Sequence, residues 1–371
     1  MSEKCKILHS VSIMDRAGEE TFIMNVFRTI DKSKYMFDFL VSQNREGEYD
    51  KEIVKLGGKI HCLEPVKTGG PIKRLKNYSK LNKYLRGISE EYSAFHIHTQ
   101  HAMDAFLDAM AAKRAGIRNV IVHSHSTSTL HHVKAHYIFR PILNRLHIVR
   151  LACSDKAGKW LFGDHGKYEV INNGIVVEKY LFNDAVREEI RKNEAWGDRL
   201  VIGHVGSFSY PKNHSFLLDI FKSFLKIFPD AILAMAGKGN LMEEIKEKSK
   251  ELRISDSVVF LGSRGDVNRL YSAFDALVFP SHYEGLPVTL VEAQAADLPC
   301  LISDTITTET DINPSLIRMS LENSADEWAK ELDLMISSSH RGNAKKQIVD
   351  AGYDIETTTE RLTKIYSGKI I

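Results

Sequence analysis

Two glutamates eight positions apart, a lysine well before them and a crowd of histidines are the groups here best able to do chemistry. Glu284 and Glu292 lie in Pro280-Ser-His-Tyr-Glu-Gly-Leu-Pro-Val-Thr-Leu-Val-Glu-Ala-Gln-Ala. Glu284 and Gly285 read as loop, and Pro287 stands where a first helical turn should begin. A helix start offers unpaired N–H groups and a positive dipole end, a seat for a diphosphate. Gly285 lets a ligand come close to the backbone, and Leu286, Pro287 and Val288 would line the same seat. Glu292, about two turns into the helix, could accept hydrogen bonds from both hydroxyls of a ribose. Taken singly, either glutamate is better read as a solvated residue on a capped core helix.

Other candidates follow apolar runs. Lys212, in Val201-Ile-Gly-His-Val-Gly-Ser-Phe-Ser-Tyr-Pro-Lys-Asn-His, can meet a phosphate as a point charge. Arg264 could add a second cation or line a base pocket, and reads equally well as a solvated loop arginine. Gly18 and Glu20, in Asp15-Arg-Ala-Gly-Glu-Glu-Thr, open a helix, where acidic residues are favoured in any case. Nine of the 16 histidines fall within 96–147. His96, His98, His123 and His125 end two strand-like runs. No carboxylate or cysteine stands at metal-ligand spacing beside them, so no metal site is expected. Most of them read as ordinary hydrogen-bonding residues.

These residues must be carried by an alternation of β-branched runs and amphipathic runs, which argues α/β with parallel sheets. Expected strands are Cys5–Val11, Phe37–Val41, Lys59–Cys62, Ala94–His98, Val120–His123, Ile148–Cys153 and Glu169–Ile171. After a break near Asn173–Asp198 come Leu200–Val205, Ala231–Ala236, Ser257–Leu261, Ala276–Phe279 and Pro299–Ser303. That many strands suits two sheets better than one. In such sheets ligands bind beyond the carboxyl ends of the strands, where the candidates lie.

Composition bounds the reading. The chain has 371 residues, 43% hydrophobic and 26% charged, a soluble two-domain profile. Cys5, Cys62, Cys153 and Cys300 form no CxxC pair, which suits a reducing cytosol. No signal peptide and no membrane span are expected. Residues 1–180 hold 28 Lys and Arg against 19 Asp and Glu, while the remainder holds 22 against 29. The first half should therefore meet something anionic. The basic run Lys73–Arg86 has helical periodicity, with Leu75, Tyr78, Leu81 and Leu85 on one face. It reads as a solvated surface helix or as a dock for anionic lipid headgroups.

Taken whole, the Glu284–Glu292 segment resembles the Glu-x7-Glu motif of glycosyltransferase family 4. The stretch around Lys212, Ile171-Asn-Asn-Gly-Ile-Val and Ser303-Asp-Thr-Ile-Thr-Thr-Glu fit the same family in order. The resemblance implies a GT-B fold, two Rossmann-like domains facing across a cleft: residues 1–175 on the acceptor side, 176–352 on the donor side, and a terminal helix in 353–371 packing back towards the first. It implies a cytoplasmic, retaining hexosyl transfer from a nucleotide-sugar, a UDP-sugar by family frequency. The acceptor would be lipid-linked or saccharide, in capsule or exopolysaccharide synthesis, on or near the inner face of the plasma membrane. No metal, no other cofactor and no nucleic acid are expected.

Carried over, Glu284 contacts the donor sugar, Glu292 the ribose and Lys212 the phosphates, with Gly18 near them. His125, or His123 beside it, lies near the reacting sugar, with His98 and Glu20 on the acceptor side. Ser207 stands where the family usually has arginine, Ala17 replaces a glycine, and Asp297 replaces another. The Ser207 departure keeps open a donor-binding protein without turnover. An epimerase or phosphorylase on the same scaffold is a further alternative.

Overall fold

The computed structural model describes residues 4–65, 70–127 and 133–368. The chain divides into two units, Met1–Gly174 with Ile355–Ile371, and Ile175–Asp354.

The first unit alternates strand and helix: β1 (Cys5–Val11), α1 (Gly18–Thr29), β2 (Tyr35–Val41), α2 (Asp50–Lys55), β3 (Ile60–Cys62), α3 (Gly70–Ile88), β4 (Ala94–Thr99), α4 (Ala102–Arg114), β5 (Asn119–Ser124), α5 (Val133–Leu143), β6 (Val149–Ala152), α6 (Asp155–Phe162) and β7 (Glu169–Val170). Its seven strands are parallel in the order β3-β2-β1-β4-β5-β6-β7. One face of the sheet is apolar: Leu8, Leu40, Phe95, Ile97, Val120 and Val122 pack with α4. The alternate positions of the central strands are His9, His96, His98 and His123, all buried. Central parallel strands ordinarily carry aliphatic residues on both faces, so four imidazoles there are unusual. In the basic run, the side chains of Lys73, Arg74 and Leu75 lie outside the described residues, while Leu81 and Leu85 are buried in the core.

The second unit repeats the architecture: α7 (Asp184–Asn193), β8 (Val201–Val205), α8 (His214–Phe224), β9 (Ile232–Ala236), α9 (Met242–Glu251), β10 (Val258–Gly262), α10 (Val267–Ala273), β11 (Ala276–Phe279), α11 (Val288–Ala295), β12 (Cys300–Ser303), β13 (Leu316–Met319), α12 (Ala325–Ser338) and α13 (Lys345–Asp350). The parallel order is β10-β9-β8-β11-β12-β13. Neighbouring residues alternate between two cores. Ile202, Leu233, Val278 and Leu301 pack with Trp328 and α8 on one side. Val201, Ile232, Leu277 and Ile302 pack with Tyr271 and Phe274 on the other. A sheet buried on both faces explains why its strands read as unbroken apolar runs. In both sheets the strand order reverses direction between two adjacent strands, β1/β4 and β8/β11, the place where such sheets bind ligands.

The chain ends in α14 (Ile355–Tyr366), which belongs to the first unit. Arg361 holds Glu169 and the Val170 carbonyl, and the Tyr366 hydroxyl lies 3.0 Å from His96 Nδ1. No helix among the described residues is long and apolar enough to cross a membrane.

Candidate functional site

The switch point of the second unit gathers the leading candidates. β11 is fully buried and stops at Pro280, which cannot donate to a ladder. β8 runs into a turn at Tyr210–Lys212, followed by Asn213 in the left-handed region at φ 53°. The two loops are tied by a hydrogen bond from His282 N to the Pro211 carbonyl, 2.8 Å. Across that tie the Lys212 ammonium meets Glu284 Oε1 at 2.7 Å, with side chains 16% and 12% exposed. The ammonium also lies 4.6 Å from the Phe279 ring centroid, a cation–π seat. Sequence spacing brought neither contact into view.

Other residues frame this pair. Pro287 is the N-cap of α11, one position before the place expected of it, and it supplies no capping side chain. No acidic residue follows in the first turn, so the helix start keeps unpaired N–H groups. A Cβ on Gly285 would meet nothing within 4 Å, which leaves the backbone open to a ligand. Below the lysine, His204 and His214 are buried, which pushes their pKa values down to about 4 and about 2. Both stay neutral and so place no competing cation beside the Lys212 ammonium. Tyr210 stacks on His282, with centroids 4.7 Å apart, and Tyr210 and Tyr283 are largely exposed.

Glu292 is held by two tyrosines. Its Oε1 accepts from Tyr180 at 2.9 Å and its Oε2 from Tyr271 at 2.8 Å. Burial raises its pKa, against the lowering effect of the two hydroxyls. Each carboxylate oxygen has a second lone pair, so a diol can still be accepted. Nothing in the sequence marked Tyr180 and Tyr271 as its partners.

Arg264, expected as a second cation or a base-pocket residue, is held by two carboxylates. Its Nε and Nη2 bind both oxygens of Asp266, and its Nη1 binds Glu194 at 2.7 Å. A guanidinium held by two carboxylates is neutralised and is not a spare phosphate cation. Ser207 is exposed, and its hydroxyl lies 3.0 Å from that of Ser209. The Ala236-Gly-Lys-Gly turn serves packing: a Cβ on Gly237 would fall 1.9 Å from the Gly206 carbonyl oxygen, and one on Gly239 would fall 2.2 Å from that of Phe208.

In the first unit, Gly18 opens α1 and has open space around its Cα. Of the two glutamates after it, Glu19 is the more perturbed. Burial, then the charge of Glu20, raises its pKa to about 8, and burial also raises that of Glu20. Glu19 therefore carries a proton at neutral pH in the folded chain. Its stabilising contribution is full below about 4.5 and is lost as pH rises towards about 8. From about pH 6.5 to about 8, above the range in which the buried neutral histidines act in the opposite sense, the thermal midpoint should fall, and Glu19→Gln should flatten that fall. Calorimetric melts at intervals through the window check this, and an unchanged slope in the variant counts against it.

Strand register assembles the histidines. His9 pairs with His96, and His98 with His123, on neighbouring strands. His9 Nδ1 lies 3.0 Å from His98 Nε2, and His98 Nδ1 lies 2.9 Å from His125 Nε2. Phe22 of α1 packs against His123 and His125. Register brings together imidazoles that spacing along the chain keeps apart. His9, His96 and His98 form one ligand-competent triad, and His98, His123 and His125 form another.

The chain is similar to known proteins over nearly its whole length. Residues 186–354 match the family described as Glycosyl transferases group 1. EpsF of Bacillus subtilis (strain 168), named as a glycosyltransferase, is 35% identical over 99% of this chain and 97% of its own length. An Escherichia coli enzyme named UDP-Gal:alpha-D-GlcNAc-diphosphoundecaprenol alpha-1,3-galactosyltransferase is 26% identical over 81% of both chains. The crystal structure of Anabaena HepE in complex with UDP and glucose superposes with a TM-score of 0.77 at 17% identity, covering 98% of this chain and 99% of that one. That likeness establishes the GT-B α/β fold.

Proposed function

This chain belongs to the glycosyl transferases group 1 family, and we propose that it moves a sugar from a UDP-sugar to a lipid-diphosphate-linked saccharide, with retention at the anomeric carbon. The observation that carries the reading is the meeting of Lys212, Glu284 and the uncapped start of α11 at the β8/β11 switch point. The donor diphosphate sits on the N–H groups of that helix start, and the Lys212 ammonium turns from Glu284 to the phosphate oxygens. Glu284, freed of its partner, accepts from hydroxyls of the sugar. Glu292 accepts from the ribose while Tyr180 and Tyr271 hold it in place.

Transfer breaks the bond between the anomeric carbon and the phosphate oxygen. The electron pair leaves with UDP, stabilised by Lys212 and the helix dipole without a divalent ion. The acceptor oxygen bonds to the same face of the carbon, and its proton is lost to the departing phosphate or to solvent. UDP as the nucleotide is supported by the ligands of HepE and by the name of the Escherichia coli relative. That name also supports a lipid-diphosphate acceptor, as does the excess of Lys and Arg in the first half of the chain. We assign the product to polysaccharide synthesis at the inner membrane surface, with the exposed basic side of α3 resting on anionic headgroups. We place His125 near the reacting sugar, with His98, His123 and Glu20 on the acceptor side.

The test is UDP release from a panel of UDP-sugars with an undecaprenyl-diphosphate-linked saccharide. Turnover with one pair and none without acceptor is expected. Ser207 favours a second reading, donor binding without transfer. Restoring the missing cation in Ser207→Arg should then tighten UDP binding by about tenfold, the worth of one charge-assisted contact. Tight UDP binding in the wild type without turnover on any pair would leave the second reading standing.

A further inference from the structure

We propose that His98, His123 and His125 form a zinc site in the first unit. Each of the three offers a nitrogen within 4.8 Å of those of the other two. His98 Nδ1 and His125 Nε2 already face each other at 2.9 Å. Two imidazole nitrogens on one tetrahedral zinc stand about 3.3 Å apart, given metal–nitrogen bonds of about 2.0–2.1 Å. The pair needs to open by only a few tenths of an ångström, and side-chain rotation brings in His123.

A second observation points to a ligand here. Both ring nitrogens of His123 and Nδ1 of His125 are buried and have no hydrogen-bond partner among the described residues. A buried polar atom left so is costly, and a donor–acceptor ring without any partner bears that cost at both nitrogens. A metal ion satisfies a ring nitrogen of His123 directly. Three imidazoles are the donor set that suits zinc.

The surroundings select this triad over the one formed by His9, His96 and His98. His96 Nδ1 is already committed to the Tyr366 hydroxyl, and His9 and His96 are sealed from solvent. His125 is only half-buried, which gives an ion a way in and leaves a fourth position for water. His98 Nε2 faces His9 Nδ1 at 3.0 Å, so His9 acts as the outer partner that orients a ligand histidine. Protons balance without loss. His98 keeps its proton on Nε2 towards His9, and His125 moves its own from Nε2 to Nδ1. The Nδ1–H of His125 then stays free to meet a hydroxyl.

The test is titration of the untagged, chelator-stripped full chain with Co2+, read by its visible d–d absorption, followed by displacement with Zn2+. One equivalent is expected, displaced by one equivalent of Zn2+. His123→Ala and His125→Gln should each weaken Co2+ binding by at least about 100-fold, since outer-shell losses alone reach that figure. His147→Ala and His165→Ala, at exposed positions, should leave the titration unchanged. Circular dichroism reports whether His123→Ala folds; if it does not, His125→Gln, at the half-buried position, decides. No visible bands in the wild type, bands that persist in His125→Gln, or bands lost in the exposed-histidine variants would each overturn the proposal.

Discussion

Replacing Lys212 with methionine is expected to slow sugar transfer by ~100- to 1,000-fold, the usual loss when one preorganised donor is removed from developing negative charge. The substitution keeps the stem over Phe279 and removes only the ammonium. It also strands Glu284, whose side chain is 12% exposed and which loses its 2.7 Å partner. Stranding a largely buried carboxylate costs about 1–3 kcal/mol, less than for a fully buried pair because some solvent reaches it. The two effects separate in a double variant. Lys212→Met with Glu284→Gln should recover most of the thermal stability and none of the transfer rate. UDP-release kinetics and calorimetric melts on the three chains read both quantities. A double variant that regained activity along with stability would reduce the ion pair to a fold-maintaining contact.

Gly237→Ala should damage the fold of the second unit more than any other one-methyl change at its active face. Gly237 sits at φ 152°, where a side chain is strained, and its added Cβ would fall 1.9 Å from the Gly206 carbonyl oxygen. That oxygen belongs to backbone in the loop that leads to Lys212, so no side-chain rotation relieves the clash. The loops are tied there by Gly206 N to the Ala236 carbonyl and by Phe208 N to the Lys238 carbonyl, both 3.0 Å. Overpacking together with backbone strain is expected to cost about 3 kcal/mol or more. For a unit of this size that lowers the melting midpoint by roughly 6–12 °C. Gly285→Ala, with open space about its Cβ, should leave the midpoint unchanged while weakening nucleotide binding.

Much of the fold could be read before any coordinates. β1 and β11 have the bounds expected of them, and most other strands lie within two residues of expectation. They were legible because strands buried on both faces are short apolar runs punctuated by glycine and proline. β13 escaped because it is a half-buried edge strand, Leu-Ile-Arg-Met, with an arginine in it. α12 escaped although its capping box, Ser324 with Glu327, is written in the sequence as Ser-x-x-Glu.

Glu284 stood out by motif and Lys212 by its place after β8, but their mutual contact is a product of loops far apart in the chain. The same holds for Arg264, whose neutralising Glu194 lies 70 positions away. The histidine grouping depends on register between β1, β4 and β5, and spacing along one strand carries no trace of it. Glu19 outranks Glu20 because burial, not charge pattern, sets its proton affinity.

The central claim, a diphosphate seat at the β8/β11 switch point, is tested most directly by amide hydrogen exchange of the full chain with and without UDP. Slowed exchange is predicted in peptides spanning 206–213 and 284–290, and Lys212→Met should diminish it in both. Protection that arises elsewhere and leaves those two segments unchanged would contradict the account.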